Sequence, residues 1–154
     1  MKIYVASSWK NTHYQDLLQR LRDAGHEPLD WRVGGFGWPE TGVSQETMTA
    51  QQYRDEVLLH SRACEGFKND FNKMSEADCC VLLLPCGRSA HLEAGWFWGH
   101  AKPLHIYIPI FDTPELMYKG ADSICFTIDE LLHELLISAA RLSEQASTLA
   151  ARTS

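Results

Sequence analysis

The chain has 154 residues, 45% hydrophobic and 22% charged, with a formal net charge of −6. That length supports one domain with a real core. The acidic balance argues against nucleic-acid binding, which needs a basic surface to meet phosphates. No apolar run approaches membrane-spanning length, and Met1 leads directly into a strand pattern. A cytoplasmic protein with no membrane attachment is therefore expected.

The elements alternate in a βα rhythm. Lys2–Ala6 reads as a strand that runs into the small-residue turn Ser7-Ser8-Trp9. Asn11 or Thr12 then caps a helix with an apolar stripe of Leu17, Leu18 and Leu21, and Gly25 ends it. Residues 26–31 form a second strand pattern, followed by a Gly/Trp-rich loop over 32–48. Thr49 and Gln52 have capping-box spacing and open a helix carrying Tyr53 and Val57. A second helical piece places Phe67, Phe71 and Met74 on one apolar face, with Asp70 off the centre of that stripe.

Residues 78–84 are apolar nearly throughout, as in a parallel strand buried on both faces. Pro85 breaks that strand into the loop Cys86-Gly87-Arg88. Ser89 sits where a helix N-cap belongs, and the helix runs to about Gly99. A fourth strand is expected over 104–109, a short helix from Thr113-Pro114-Glu115, and a fifth strand over 123–127. Asp129 opens a long helix with Leu131, Leu132, Leu135, Leu136 and Ala139, and a Ser/Ala/Thr-rich tail over 143–154 frays. These alternations predict an α/β fold: a single-domain, flavodoxin-like or Rossmann-like, doubly wound parallel sheet of five strands in the order 2-1-3-4-5. Its switch point lies between strands one and three, at the turn after Ala6 and the loop after Leu84.

Five cysteines with no CxxC spacing and seven scattered histidines provide neither a disulfide framework nor a metal-ligand pattern. No metal or other cofactor is expected. Cys86 lies in the switch-point loop, but no histidine has the context of a base partner, so a nucleophilic role is discounted. His91, two residues from Glu93 and hence on a different face, reads as a supporting or interface residue.

The switch-point loop carries the chemistry. Helix N–H groups, Arg88 and Glu93 gather at the carboxyl end of a strand, where open α/β sheets bind ligands. Proximity to the helix N-terminus favours an ionised Glu93, and such a carboxylate can serve as a nucleophile. The competing reading is a solvated glutamate that merely complements the helix dipole. Tyr4 reads equally as a core aromatic, and Asp70 as a surface carboxylate.

Three segments, Tyr4 to Trp9, Phe67-Lys68-Asn69-Asp70-Phe71-Asn72 and Leu92-Glu93-Ala94-Gly95-Trp96, occur in this order and spacing. Over roughly residues 2 to 108 the chain resembles the nucleoside 2-deoxyribosyltransferase family. The resemblance implies that Glu93 is the catalytic nucleophile, that Tyr4 contacts it, and that Asp70 serves the leaving base. It assigns 1–142 to that domain. The substrate is then a small nucleoside or nucleotide, the sugar passing to another base or to water. It also implies a homo-oligomer whose pocket borrows residues from a neighbour, with Trp96 and Trp98 offering contact area.

Transferases of the family often carry a further acid shortly before the glutamate, where this chain has Cys86-Gly87-Arg88-Ser89. That difference points toward the related deoxynucleoside 5'-monophosphate N-glycosidase branch, with Gly87, Arg88 and Ser89 near a phosphate. Ser7 lies at the switch point, and Trp9, Phe36 and Trp38 supply faces on which a base can stack. Two alternatives stand beside this reading: cleavage of the nicotinamide bond of NAD, and a non-catalytic nucleotide-binding signalling module.

Overall fold

The structure is a computed structural model describing residues 1–111 and 113–152, with Arg152 described in its backbone alone. Residues 153 and 154, the end of the tail expected to fray, lie outside the described residues. Five parallel strands pair in the order β2-β1-β3-β4-β5, as the alternation predicts. They are β1 (Lys2–Ala6), β2 (Glu27–Leu29), β3 (Cys79–Leu83), β4 (Leu104–Tyr107) and β5 (Ser123–Cys125). The helices are α1 (Tyr14–Asp23), α2 (Ala50–Gln52), α3 (Ser61–Glu76), α4 (Arg88–Gly99) and α5 (Ile128–Arg152). No described helix is long and apolar enough to cross a membrane. The chain divides into two compact units: Met1–Leu29 with Ala77–Ser154, and Asp30–Glu76.

The first unit holds the sheet. β3 is buried at every position, the burial that an uninterrupted apolar strand requires in the middle of a parallel sheet. Register then decides which helix meets which face. Tyr4, Cys80 and Leu104 are direct neighbours across β1, β3 and β4. Tyr4 stacks on Phe97, so this row faces α4. His105, one residue further along β4, must point to the opposite face, where its ring meets Ser138 of α5 at 3.0 Å. Thus α4 and α5 cover opposite faces of the sheet.

α5 starts with a reciprocal cap: Thr127 Oγ1 accepts the Glu130 N–H at 3.2 Å, and the Glu130 carboxylate accepts those of Phe126 and Thr127 at 2.7 and 3.2 Å. The helix continues through Arg152 instead of ending near Ser143, because the Ala, Leu, Glu and Gln residues of that stretch favour helix whether or not a core faces them. Leu131, Leu135 and Ser138 form its buried stripe, while Leu136 is exposed.

In the second unit Thr49 and Gln52 form the expected capping box, Thr49 Oγ1 accepting the Gln52 N–H at 3.1 Å. A wider π-helical turn, Tyr53–Val57, follows. α3 departs from the expected apolar stripe. Phe67 is 70% exposed and Phe71 also faces outward, the two rings stacked at 5.8 Å, whereas Met74 is 6% exposed. The inner face is instead Gly66, Asn69, Asp70, Lys73 and Met74. Its polar members have backbone to satisfy: Asn69 Nδ2 donates to Trp31 O at 3.2 Å and Lys73 Nζ to Val33 O at 2.6 Å. Gly66 lets Phe36 approach so closely that any Cβ there would overlap it.

Candidate active site

At the carboxyl edge of the sheet two loops are stitched together by side chains. Ser7 Oγ donates to Leu83 O at 3.0 Å. Asn11, almost wholly buried, donates through Nδ2 to Pro85 O at 3.0 Å and accepts the His13 N–H at 2.8 Å. Asn11 therefore joins the turn after β1 to the loop after β3, while α1 itself has His13 as its N-cap and no side-chain cap, not the expected Asn11 or Thr12. Sequence reading saw only the helix cap, since a partner more than seventy residues away leaves no local signal. The Ser7 hydroxyl is likewise committed to the scaffold. Trp9 stands on the same turn and is half exposed.

The helix after β3 begins one residue earlier than the Ser89 cap predicts. Gly87 is the N-cap, in extended conformation, and Arg88 and Ser89 are the first two helical residues, both exposed. The reason is His91: its backbone N–H and its ring Nδ1 both reach Gly87 O, at 3.4 and 2.8 Å. Glu93 consequently sits in the second turn, beyond the first turn where a helix dipole acts most strongly on a carboxylate.

Its placement on α4 is more telling than its distance from the helix end. Ala90, Ala94 and Phe97 are the buried positions of α4. Glu93 lies three and four residues from Ala90 and Phe97, within the same stripe. It is half-buried where an apolar residue belongs. Its charge is felt by Cys80 in β3 and by Cys86 in the loop. Burial first, and then the Glu93 charge, push the Cys86 thiol up to about 12. Cys86 is therefore a neutral thiol at physiological pH.

Tyr4 is wholly buried, its ring stacked on that of Phe97 at 5.8 Å and 25°. It thus packs one helical turn from Glu93 on the face that both share. A cavity of about 200 Å³ adjoins the loop, bounded by Pro85, Cys86, His91, Ile108, Glu115 and Tyr118. His91 stands 3.6 Å from Cys86 Sγ, so a histidine partner does lie beside this cysteine, contrary to the sequence reading. A five-residue spacing across a helix start places them together, which residue context alone did not reveal.

Asp70, Phe36 and Trp38 belong to the second unit. Asp70 accepts from Asn69 Nδ2 at 3.0 Å. Burial raises its pKa above the usual carboxylate value, with the Asn69 hydrogen bond and the Lys73 charge opposing. The shift is in the direction that a general acid requires. Phe36 and Trp38 meet edge to face at 5.3 Å, with Tyr53 next to Trp38. The bend preceding them needs Gly34: its φ is +77°, and a Cβ would stand 3.1 Å from Asn69 Oδ1.

No protein-family model and no curated protein matches the sequence. Solved structures do match the fold. A 2-deoxyribosyltransferase from Bacillus psychrosaccharolyticus superposes with a TM-score of 0.62 at 20% identity, covering 86% of this chain and 90% of that one. The CMP N-glycosidase BcmB of Clostridium botulinum superposes at 0.50 and 15% identity, covering 88% and 98%. Across nearly its whole length, then, this chain has the flavodoxin-like fold of a nucleoside 2-deoxyribosyltransferase and of a nucleotide N-glycosidase.

Proposed function

We propose that the protein cleaves the N-glycosidic bond of a (deoxy)nucleoside or nucleotide, with Glu93 as nucleophile. The observation that carries this reading is a carboxylate in the sheet-facing stripe of α4, the helix that follows β3, where apolar side chains would otherwise pack. A carboxylate on a sheet-facing position gives up apolar packing, a cost to stability that a catalytic role accounts for. The fold shared with a deoxyribosyltransferase and a nucleotide N-glycosidase supports the same chemistry.

In this reaction a Glu93 oxygen attacks C1' as the bond from C1' to the base nitrogen breaks, that bond's electron pair leaving with the base. Asp70, protonated at the outset, gives its proton to the departing nitrogen. The second step reverses the polarity: a new base or a water molecule attacks C1', loses its proton to Asp70, and frees the Glu93 carboxylate. Developing cationic charge at C1' is what a closely held carboxylate stabilises. Tyr4 holds the helix face that carries Glu93, and Trp9, Phe36 and Trp38 offer faces for the base.

The substrate we favour carries a 5'-phosphate. Arg88 and Ser89 are exposed at the start of α4, and Arg88 forms no salt bridge with another described residue. A free guanidinium beside helix N–H groups suits a phosphate. The test of the nucleophile is a denatured-protein mass spectrum after incubation with 2'-fluoro-2'-deoxynucleosides and their 5'-monophosphates. A sugar adduct mapping to Glu93 is expected, and an adduct elsewhere, or turnover without Glu93, rejects the reading.

A further inference from the structure

We propose that His91 is the positioning residue of this site: held in the Nδ1–H tautomer by Tyr118, its ring binds the N-cap carbonyl of α4 and sets where Glu93 stands on that helix. The role rests on the reading of Glu93 as nucleophile.

The tautomer follows from the partners. Nδ1 lies 2.8 Å from Gly87 O, an atom that only accepts, so Nδ1 carries the proton. With that proton on Nδ1, the lone pair lies on Nε2, 2.8 Å from the Tyr118 hydroxyl, which donates. Tyr118 suits that task, because burial first, and then the nearby Cys86 and Glu115, push its phenol up and keep the hydroxyl proton in place. The two rings also stack, 5.9 Å apart and 14° from parallel.

This arrangement excludes the other use of the trio. Cys86 Sγ is 3.6 Å from Nδ1, but that nitrogen already bears its proton and the thiol holds its own up to about 12. The imidazole therefore cannot take the thiol proton as a base, and the pair is not a Cys–His nucleophile.

What remains is position. Gly87 has no side chain to cap the helix, and no side-chain cap replaces it at that residue. Through Nδ1 the ring of His91 anchors the N-cap carbonyl, and Tyr118, 27 residues away, holds the tautomer that makes this bond possible. Glu93 follows two residues later on the turn so anchored. A displacement of about 1 Å at a reacting group costs on the order of a hundredfold in rate, while one exposed hydrogen bond matters little to folding. Loss of His91 should therefore appear in kcat.

Two substitutions separate the two ring nitrogens. His91→Asn places an amide near Nδ1 and keeps the bond to Gly87; His91→Gln places one near Nε2 and keeps only Tyr118. With deoxynucleoside 5'-monophosphates as substrates, we expect His91→Asn within about threefold of wild type. For His91→Gln we expect a loss of about tenfold or more in kcat at similar KM and melting temperature. Independently of turnover, ¹⁵N spectra of the imidazole should show protonated Nδ1 in the wild type and a mixed tautomer in Tyr118→Phe. An Nε2-protonated ring, or equal kcat in the two variants, overturns the role of His91 while leaving an active Glu93 enzyme. A wild type that cleaves neither nucleosides nor nucleotides overturns the Glu93 reading and the role of His91 with it.

Discussion

Tyr4 and Phe97 stack at 5.8 Å, joining the middle of β1 to the helix that carries Glu93. Phe97 is four residues beyond Glu93, so this contact sets the height of the carboxylate above the sheet. Both rings are wholly buried, which makes the contact stiff as well as close.

The first expectation concerns Glu93 and its effect on Cys86. Glu93→Gln should reduce glycosidic cleavage by several hundredfold, the scale expected when a nucleophile is lost, with the fold retained by circular dichroism. Removing the negative charge should also lower the Cys86 pKa from about 12. Alkylation rate against pH, resolved by peptide mass to exclude exposed Cys64, reads that shift. An unmoved Cys86 titration places the Glu93 charge elsewhere.

Asp70 is expected to act through its proton. Burial raises its folded pKa, so the acid form persists to higher pH than in a free aspartate, and the rate should fall as pH climbs through the raised value. Asp70→Asn should remove this limb and slow poor leaving groups at least tenfold more than activated ones. Equal losses on both substrate types argue against a general acid.

Arg88 should set the preference for phosphate. A nucleoside 5'-monophosphate is expected to bind more than tenfold tighter than its nucleoside, and Arg88→Ala to erase most of that difference. Calorimetric titration of both ligands decides it, since identical affinities leave the phosphate no role.

His105 ties stability to pH. Wholly buried on β4, it bonds Ser123 Oγ at 2.8 Å and Ser138 Oγ at 3.0 Å. Burial first lowers its pKa, opposed by Asp122 and Glu134 and assisted by Arg141. The folded value lies below the unfolded one, so the unfolded chain takes up a proton first as pH falls. Stability from this group is complete above about 6.5 and is lost as pH drops through the folded value. Denaturant titrations from pH 7.5 to 5 should show this slope in the wild type and a shallower one in His105→Gln.

A homo-oligomer is the last expectation. Leu92, 78% exposed, and half-exposed Trp98 lie on α4, and Leu116 and Met117 are also open to solvent. Apolar area of this kind is commonly covered by a second subunit. Sedimentation at micromolar concentration should show at least a dimer, and Leu92→Glu should shift it toward monomer. A fully active monomer rules out a shared site.

What the sequence determined by itself was the order of elements and, with it, the position of the candidate site. Local pattern suffices for both: Leu17, Leu18 and Leu21 recur at helical spacing, residues 79–83 are apolar without interruption, and right-handed crossovers leave few ways to arrange five parallel strands. The switch point follows from that order, and Glu93 lies beside it. Tertiary structure decided which groups are committed and which way they face. Phe67 and Phe71 have the spacing of a core stripe yet are exposed, because the carbonyls of Trp31 and Val33 needed donors and Asn69 and Lys73 supply them. Ser7 reads as a turn residue and Asn11 as a helix cap, but their side chains fasten the end of β3 and its following loop. His91 finds Tyr118 only through the fold. Periodicity records the preference of a segment for a surface, whereas hydrogen bonds between distant residues depend on which surfaces the chain brings together, and no local pattern carries that information.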